Sequence, residues 1–538
     1  MKSLWGHWML RASLLLAAAL LAGCGGKGRM AEPGDDPELG QTVASVAEIK
    51  RPEQAVVEGY GLVGGLPGTG SSICPTGVRR YLKSYILRQL SGTTPDLDAL
   101  IDSKNTAVVQ LVGLIPALPS KDDRFDVRVR PVDGSDATSL RGGWLYEAEL
   151  RGQGAAQTRS RVLARVEGAV FVNTIGTAEP SLTDGYVLGG GAVGYDYSGR
   201  IRLRRGEYTV ANTIRNRLNE RYGAGTAQAI SAEEIGFVIP SAYQNRRARF
   251  VVMLATTYLT ETPELLTKRI DALIAGLGVP EQAERSEIGL EAIGRSSLPK
   301  LAAVLDDPRE ALRLRAARCM LNLGDDRGWS ALQAIAEDPD SALRLEALEA
   351  IVQAGQRNPA AALTRRLLRD DDVRVVLAAY EHLREMQDMA VRQEFIGRSF
   401  YLEQVVQTNR RAIFVARSGA PRVVVFGAPL ACRDNLFIES PDGQIVIDSR
   451  AGQDYASLTR RVAGRQGVIG PVRSGLTVSE IIRALAAERP RTGGGSPVGL
   501  GISYSEVTAV LEQLSAKEGV AADFWVGPLP KIGLLVKK

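Results

Sequence analysis

The chain has 538 residues, of which 45% are hydrophobic and 24% charged, and its net charge is +5. That length exceeds what one hydrophobic core usually serves and predicts several domains, while a small positive surplus without a long basic run argues against nucleic-acid binding. Two histidines and four cysteines leave little material for a histidine-based catalytic set or a clustered metal site.

At the N-terminus, Lys2 and Arg11 precede the apolar stretch Leu14 to Leu21, which is too short to span a bilayer and predicts an export signal over 1–23. The signal ends in Leu21-Ala22-Gly23-Cys24, which resembles a bacterial lipobox. The resemblance implies that Cys24 is diacylated and becomes the new N-terminus, and that Gly25, standing where Asp would retain the protein at the inner membrane, directs it to the outer one. Residues 24–40 are rich in Gly, Pro and charge, cannot pack a core, and predict a lipidated tether with a reach of roughly 20 Å.

The run from Gly59 to Gly70, GYGLVGGLPGTG, satisfies G-x-G-x-x-G through Gly59, Gly61 and Gly64. A phosphate loop of that kind needs a helix straight after it and an acidic residue about 20 positions on. Here Pro67, Gly68, Gly70 and Pro75 follow, and the first acidic residue is Asp96. Gly65 to Gly70 has Walker-like spacing, but Ser71 and Ser72 replace the required Lys and Ser/Thr. A second match, Gly189 to Gly194, feeds a strand. The first run reads as a place for tight turns and close packing of backbones between strands.

Farther along, residues 105–116 (NTAVVQLVGLIP) form an apolar, β-branched run, and 125–132 (FDVRVRPV) alternate strictly, so both predict strands, the second half exposed. Arg200, Arg202 and Arg204 alternate on a predicted strand and share one face, which is either solvated or a contact to an anionic partner or envelope polymer. Thr209 is the predicted cap of a helix carrying Val210, Ile214 and Leu218, and 235–240 returns as a strand. These elements predict an α+β domain over 41–275.

Over 285–395 the composition turns to helix formers. Leu312-Arg313-Leu314, Leu343-Arg344-Leu345 and Val373-Arg374-Val375 recur about every 30 residues, each after an acidic turn (Asp306-Asp307-Pro308, Glu337-Asp338-Pro339, Asp370-Asp371-Asp372). Three helical pairs of this kind predict a short α-solenoid resembling HEAT repeats, serving as a binding surface or a rigid spacer. Residues 400–474 predict a β-rich segment of unknown affinity. Over 475–538, Thr477 with Glu480 and Ser503 with Glu506 have capping-box spacing ahead of the apolar stripes Val478, Ile481, Ile482, Leu485 and Val507, Val510, Leu511, Leu514. The linker between those helices, residues 488–499, reads as a mobile loop.

Candidate chemistry is sparse. Without the leader, His382 is the one histidine, and it lies on the last solenoid helix. With Cys24 lipidated, Cys74, Cys319 and Cys432 are an odd number, so at least one stays free. Cys319 falls on an apolar helix face, and the sequence permits a Cys74–Cys432 bridge without placing the two together. The clustered carboxylates lie in the repeat turns, where Asp serves turn and cap geometry. The chain therefore reads as a non-enzyme with no cofactor, and no metal ligands are assigned.

GYGLVGGLPGTG, followed by Ser103-Lys104-Asn105-Thr106-Ala107-Val108-Val109 and by Ser135-Asp136-Ala137-Thr138-Ser139-Leu140-Arg141-Gly142-Gly143, resembles the bacterial flagellar P-ring family. That family carries GYGLVVGLNGTGD, a KNVA strand and GDAxSLRGG in the same order. The resemblance runs on through Gly189 to Gly191, Tyr208 to Ala211 and Phe237 to Pro240, covering about 42–265, and more weakly 476–524. Its signature positions here are Gly59, Tyr60, Gly61, Gly65, Gly68, Gly70, Ser139, Leu140, Arg141, Gly142 and Gly143.

The resemblance implies a periplasmic ring of many copies around the flagellar rod, built head to tail, with rod and outer-membrane L-ring partners and peptidoglycan nearby. It makes Lys104 and Arg141 candidates for facing the rod. The departures are the lipobox, the solenoid set between the α+β body and the terminal helices, the segment 401–474, Ser71 at a position usually Asp, and Thr138 where some members have Lys. A second reading keeps the ring or scaffold fold in a non-flagellar envelope assembly, with the solenoid as a binding module.

Overall fold

The computed structural model describes residues 38–50, 53–89, 96–154, 160–177, 179–397, 399–461, 467–488, 499–530 and 532. The export signal, Cys24, residues 24–37 of the tether and residues 489–498 of the terminal loop lie outside the described residues. The fold is α+β, and the chain divides into two compact units. One gathers the described residues up to Lys50 with Gly199–Tyr243 and Arg249–Lys300, and the other holds Arg51–Ser198, Gln244–Ala248 and Leu301–Lys538.

In the first unit, strands Ala47–Ile49, Ser198–Leu203, Glu234–Val238 and Ala227–Ala229 form a four-stranded sheet in that order. Ile201 and Leu203 point inward while Arg200 and Arg202 stay exposed, and Arg200 pairs with Glu234 of the neighbouring strand at 2.7 Å. Helix Tyr208–Tyr222 buries Ala211, Ile214, Leu218 and Tyr222. Its cap differs from expectation: Glu207 is the N-cap, with no side-chain bond, and Thr209 sits inside the first turn. The Thr209 carbonyl there accepts a bond from the Thr213 hydroxyl at 2.9 Å, so it serves as an ordinary first-turn acceptor.

The second unit is built on a closed barrel of six strands: β1 (Ala55–Gly64), β2 (Ala107–Ile115), β3 (Arg124–Pro131), β4 (Trp144–Gly152), β5 (Val162–Phe171) and β6 (Gly185–Val193). Their order is β1-β2-β3-β6-β5-β4, closed by β4 on β1, and every pairing is antiparallel. Val57, Val109, Leu111, Val127, Leu145, Leu150 and Val166 fill its interior, as a small barrel requires. β3 alternates because its outer face is partly solvated, whereas β2 is apolar on both faces. Helix Thr76–Gln89 lays Tyr81 and Leu82 on Leu62 and Val108 of the outer wall.

The repeat region runs through helices Leu298–Val304, Glu310–Asn322, Trp329–Glu337, Arg344–Ala354, Arg357–Leu367 and Val373–Glu385, with Trp329–Glu337 packed on Arg344–Ala354 and Arg357–Leu367 on Val373–Glu385. Leu314, Leu332, Ile335, Leu348, Ile351, Leu363 and Val376 share a core with Val405, Val424 and Phe426 of the following sheet. That sheet therefore seals the end of the solenoid, the role a capping repeat plays elsewhere. The acidic turns are geometric: Asp307 accepts from the Arg309 amide at 2.9 Å and Asp372 from the Arg374 amide at 2.8 Å, while Asp370 pairs with Arg344.

The sheet consists of β7 (Val391–Ile396), β8 (Phe400–Val405), β9 (Ala412–Val415), β10 (Arg422–Phe426) and, from the chain's end, β15 (Asp523–Val526). Its order is β7-β8-β10-β9-β15, with β8 parallel to β10 and β9 parallel to β15. Strands β11 (Leu436–Glu439), β12 (Ile445–Ser449), β13 (Tyr455–Arg461) and β14 (Val468–Gly475) form an antiparallel meander. Both capping boxes close at helices Val478–Ala486 and Tyr504–Ala516, and the two apolar stripes are buried. The Cys74–Cys432 bridge that the sequence permits is not formed. Cys74, Cys319 and Cys432 are all free thiols, and burial pushes the Cys432 thiol up to about 12.

Candidate assembly surface

The glycine run is mostly strand. Gly59, Gly61 and Gly64 lie in β1, and the next helix begins only at Thr76, so the strand-loop-helix cradle of a phosphate site is not built. Tyr60 faces outward into a groove of about 380 Å³ that it lines with Leu82, Tyr85 and Tyr146. The Tyr85 hydroxyl donates to Glu147 at 3.0 Å.

Beyond β1 the chain turns, with Gly65 and Gly68 at φ +77, and then folds back onto the loop before β2. Leu66 N donates to Asn105 O at 3.0 Å, Gly70 N to Lys104 O at 2.8 Å and Ser71 N to Thr106 O at 2.8 Å. A Cβ on Gly70 would stand 2.0 Å from the Thr106 carbonyl oxygen, so the two backbones approach this closely only with glycine there.

The third signature segment joins the same end of the barrel. Thr138 N donates to Thr69 O at 2.9 Å, and the Thr69 hydroxyl donates to Ser139 O at 2.9 Å. Leu140 is fully buried and Gly142 adopts φ +75. Asp136 is the polar centre of the junction. It accepts from the Ser71 hydroxyl at 2.5 Å and pairs with Lys104, and those bonds, from Lys104 first and Ser71 second, hold its carboxyl below the usual range. Residues 59–70, 103–109 and 135–143, far apart in sequence, thus meet at one barrel end.

Of the two candidate rod-facing residues, Lys104 keeps 51% of its side chain exposed. Arg141 keeps 16% and pairs with Asp442, of the β11–β12 turn, at 2.7 Å. Burial acts to raise the Asp442 carboxyl, but bonds from Ser440 and Gln444 and the Arg141 charge together hold it below the ordinary value. The segment 400–474 thus reaches the family signature. It does so again at Asp126 of β3, whose carboxylate accepts from Gly189 N at 2.7 Å and Gly419 N at 3.0 Å. Burial raises the Asp126 carboxyl against the effect of those amides.

Sequence reasoning named Arg141 and Gly189 but not these partners. Asp136 was visible inside the quoted motif, whereas nothing local marks Asp442 or Gly419. His382 stands on helix Val373–Glu385 with Glu385 4.0 Å away, remote from the signature in sequence. Among the described residues no group of three or more His, Cys, Asp or Glu could hold a metal ion, and no helix is long and apolar enough to cross a membrane.

Residues 42–266 match the family model for flagellar P-ring protein, and residues 298–384 match the one for HEAT repeats. The chain is 29% identical over 265 residues to the flagellar P-ring protein of Hydrogenovibrio crunogenus, covering 45% of this chain and 67% of the relative. It is 27% identical over 261 residues to that of Albidiferax ferrireducens, covering 46% and 63%, and 27% identical over 259 residues to flagellar P-ring protein 2 of Chromobacterium violaceum, covering 45% and 64%. The alignments thus span about two thirds of those relatives and under half of this chain. Residues 42–266 are thus similar to flagellar P-ring proteins, and a stretch similar to HEAT repeats lies beyond that match.

Proposed function

We propose that this protein is a structural, non-catalytic subunit of a flagellar basal-body P ring: a periplasmic homo-oligomer around the rod, held to the outer membrane by a lipid on Cys24. The observation that carries the reading is the meeting of the three signature segments at one barrel end, in a chain whose residues 42–266 match the family model. Glycine-dependent backbone contacts and a buried Leu140 make that end a rigid, shaped surface, suited to a neighbouring subunit rather than to a small ligand. Lys104, half exposed beside it, is the basic residue offered to the rod. The outer-membrane L ring and peptidoglycan are the expected neighbours.

Deletion of the gene tests this: cells should lose swimming and complete basal bodies, and plasmid-borne protein should restore both. Unchanged motility would sink the flagellar reading. The HEAT-repeat match favours a second reading, a non-flagellar envelope ring or scaffold that uses the solenoid to bind a protein. In that case deletion leaves swimming intact while the chain still co-purifies as an oligomer with an envelope partner.

A further inference from the structure

Within the first unit, residues 39–43 are stitched to residues 257–260. Val43 N donates to Thr257 O at 2.9 Å, Leu259 N donates to Gln41 O at 2.9 Å, and Thr42 bridges Tyr258 in antiparallel fashion. Arg269, on helix Pro263–Gly276, joins the two segments from the side. Its Nε donates to Leu39 O at 2.5 Å and its Nη1 to Thr260 O at 2.6 Å. The guanidinium carbon lies 3.9 Å from the centroid of the Tyr258 ring.

Burying an arginine is costly, and Arg269 is 1% exposed. What holds it is main chain and an aromatic face, so the side chain fixes the path of two backbone segments at once. Gly40, at φ +79, runs so close that a Cβ there would sit 2.7 Å from Nη2. A second arginine supports the 257–260 segment. Arg217 Nε donates to Tyr258 O at 3.2 Å, and its guanidinium pairs with Glu220 and Glu261.

We propose that Arg269 is a mechanical clamp that makes residues 39–43 the point where pull on the preceding chain enters the folded body. The load part of the proposal rests on the reading that Cys24 is lipidated. The clamp itself stands on the contacts above. Nothing in the signature segments requires such a fastening, whereas a body pulled through a short leash needs the segment that receives the pull to resist peeling.

The test is hydrogen exchange on the full-length chain in detergent, comparing wild type with Arg269→Met and with Gly40→Ala, which keeps the arginine but displaces its guanidinium. The Val43 and Leu259 amides should exchange about tenfold faster or more in both variants, while barrel amides of β2 keep their rates. Wild-type rates at Val43 and Leu259 in either folded variant would overturn the clamp. In an optical trap pulling from position 24, Arg269→Met should release 39–43 in a separate low-force step, and a force profile identical to wild type would overturn the mechanical role. Absence of palmitate label at Cys24 would overturn the anchoring reading without altering the exchange result.

Discussion

Gly70 and Gly68 stand two residues apart, yet they answer to different physical demands. Gly70 is required by contact, because a Cβ would lie 2.0 Å from the Thr106 oxygen, whereas Gly68 has open space and a positive φ. Gly70→Ala should therefore cost about 3 kcal/mol or more, and Gly68→Ala about 1–2 kcal/mol, the ordinary penalty of a left-handed alanine. Chemical denaturation of the two variants separates the cases, and equal losses would contradict the packing argument. At Arg141, truncation to Ala strips Asp442 of a charged partner and should destabilise by about 1–3 kcal/mol. The Asp442 carboxyl is depressed in the fold, so its stabilisation is present above its unfolded value near 3.9 and is lost as pH falls through the folded value. Asp442→Asn should thus be less stable than wild type at pH 7, with the gap closing below about pH 4 in a denaturation series. A gap independent of pH would remove the ion pair from the account.

Between elements, a buried polar junction joins the solenoid to the sheet that seals it. Glu403 of β8 is fully buried and takes bonds from Tyr380 and from Arg384 at 2.9 Å, both on helix Val373–Glu385, while Arg422 of β10 donates to the Tyr380 hydroxyl at 2.9 Å. Removing one member leaves buried charge unpaired, so Glu403→Ala should cost about 3–5 kcal/mol. The loss should appear as faster exchange in both the last helix and β8, and a loss confined to one of them would show that they open independently. The terminal helices offer a smaller, local check. Thr477→Ala breaks a capping box and should cost about 1 kcal/mol, read by thermal denaturation.

Those helices were legible in the sequence because a capping box and an apolar stripe are local signals. So were β2 and β3 and the turn role of Asp307 and Asp372. The barrel was not, since its closure depends on β4 pairing with β1 across about 80 intervening residues, and periodicity carries no register. The run in β1 hid its strand under a glycine pattern: Gly61 is small because Leu145 of β4 fills the space beside it, which only the fold shows. The Thr209 cap failed because the helix begins earlier, at Tyr208 with Glu207 as its cap, a shift of the one or two residues by which helix ends escape local signals. The approach of Asp442 to Arg141 and of Gly419 to Asp126 is tertiary and left no mark in either segment.

At the scale of the whole molecule, the proposal is that this chain, similar to P-ring proteins over residues 42–266 and carrying a solenoid sealed by its own sheet, assembles into a ring around a rod. Basal bodies purified from cells whose chromosomal copy carries an affinity tag, and imaged by electron cryomicroscopy with tag-directed gold, test that most directly. The account expects gold on a closed ring encircling the rod at the level of the peptidoglycan. Complete basal bodies with an unlabelled ring, and the tagged chain recovered elsewhere in the envelope, would contradict it.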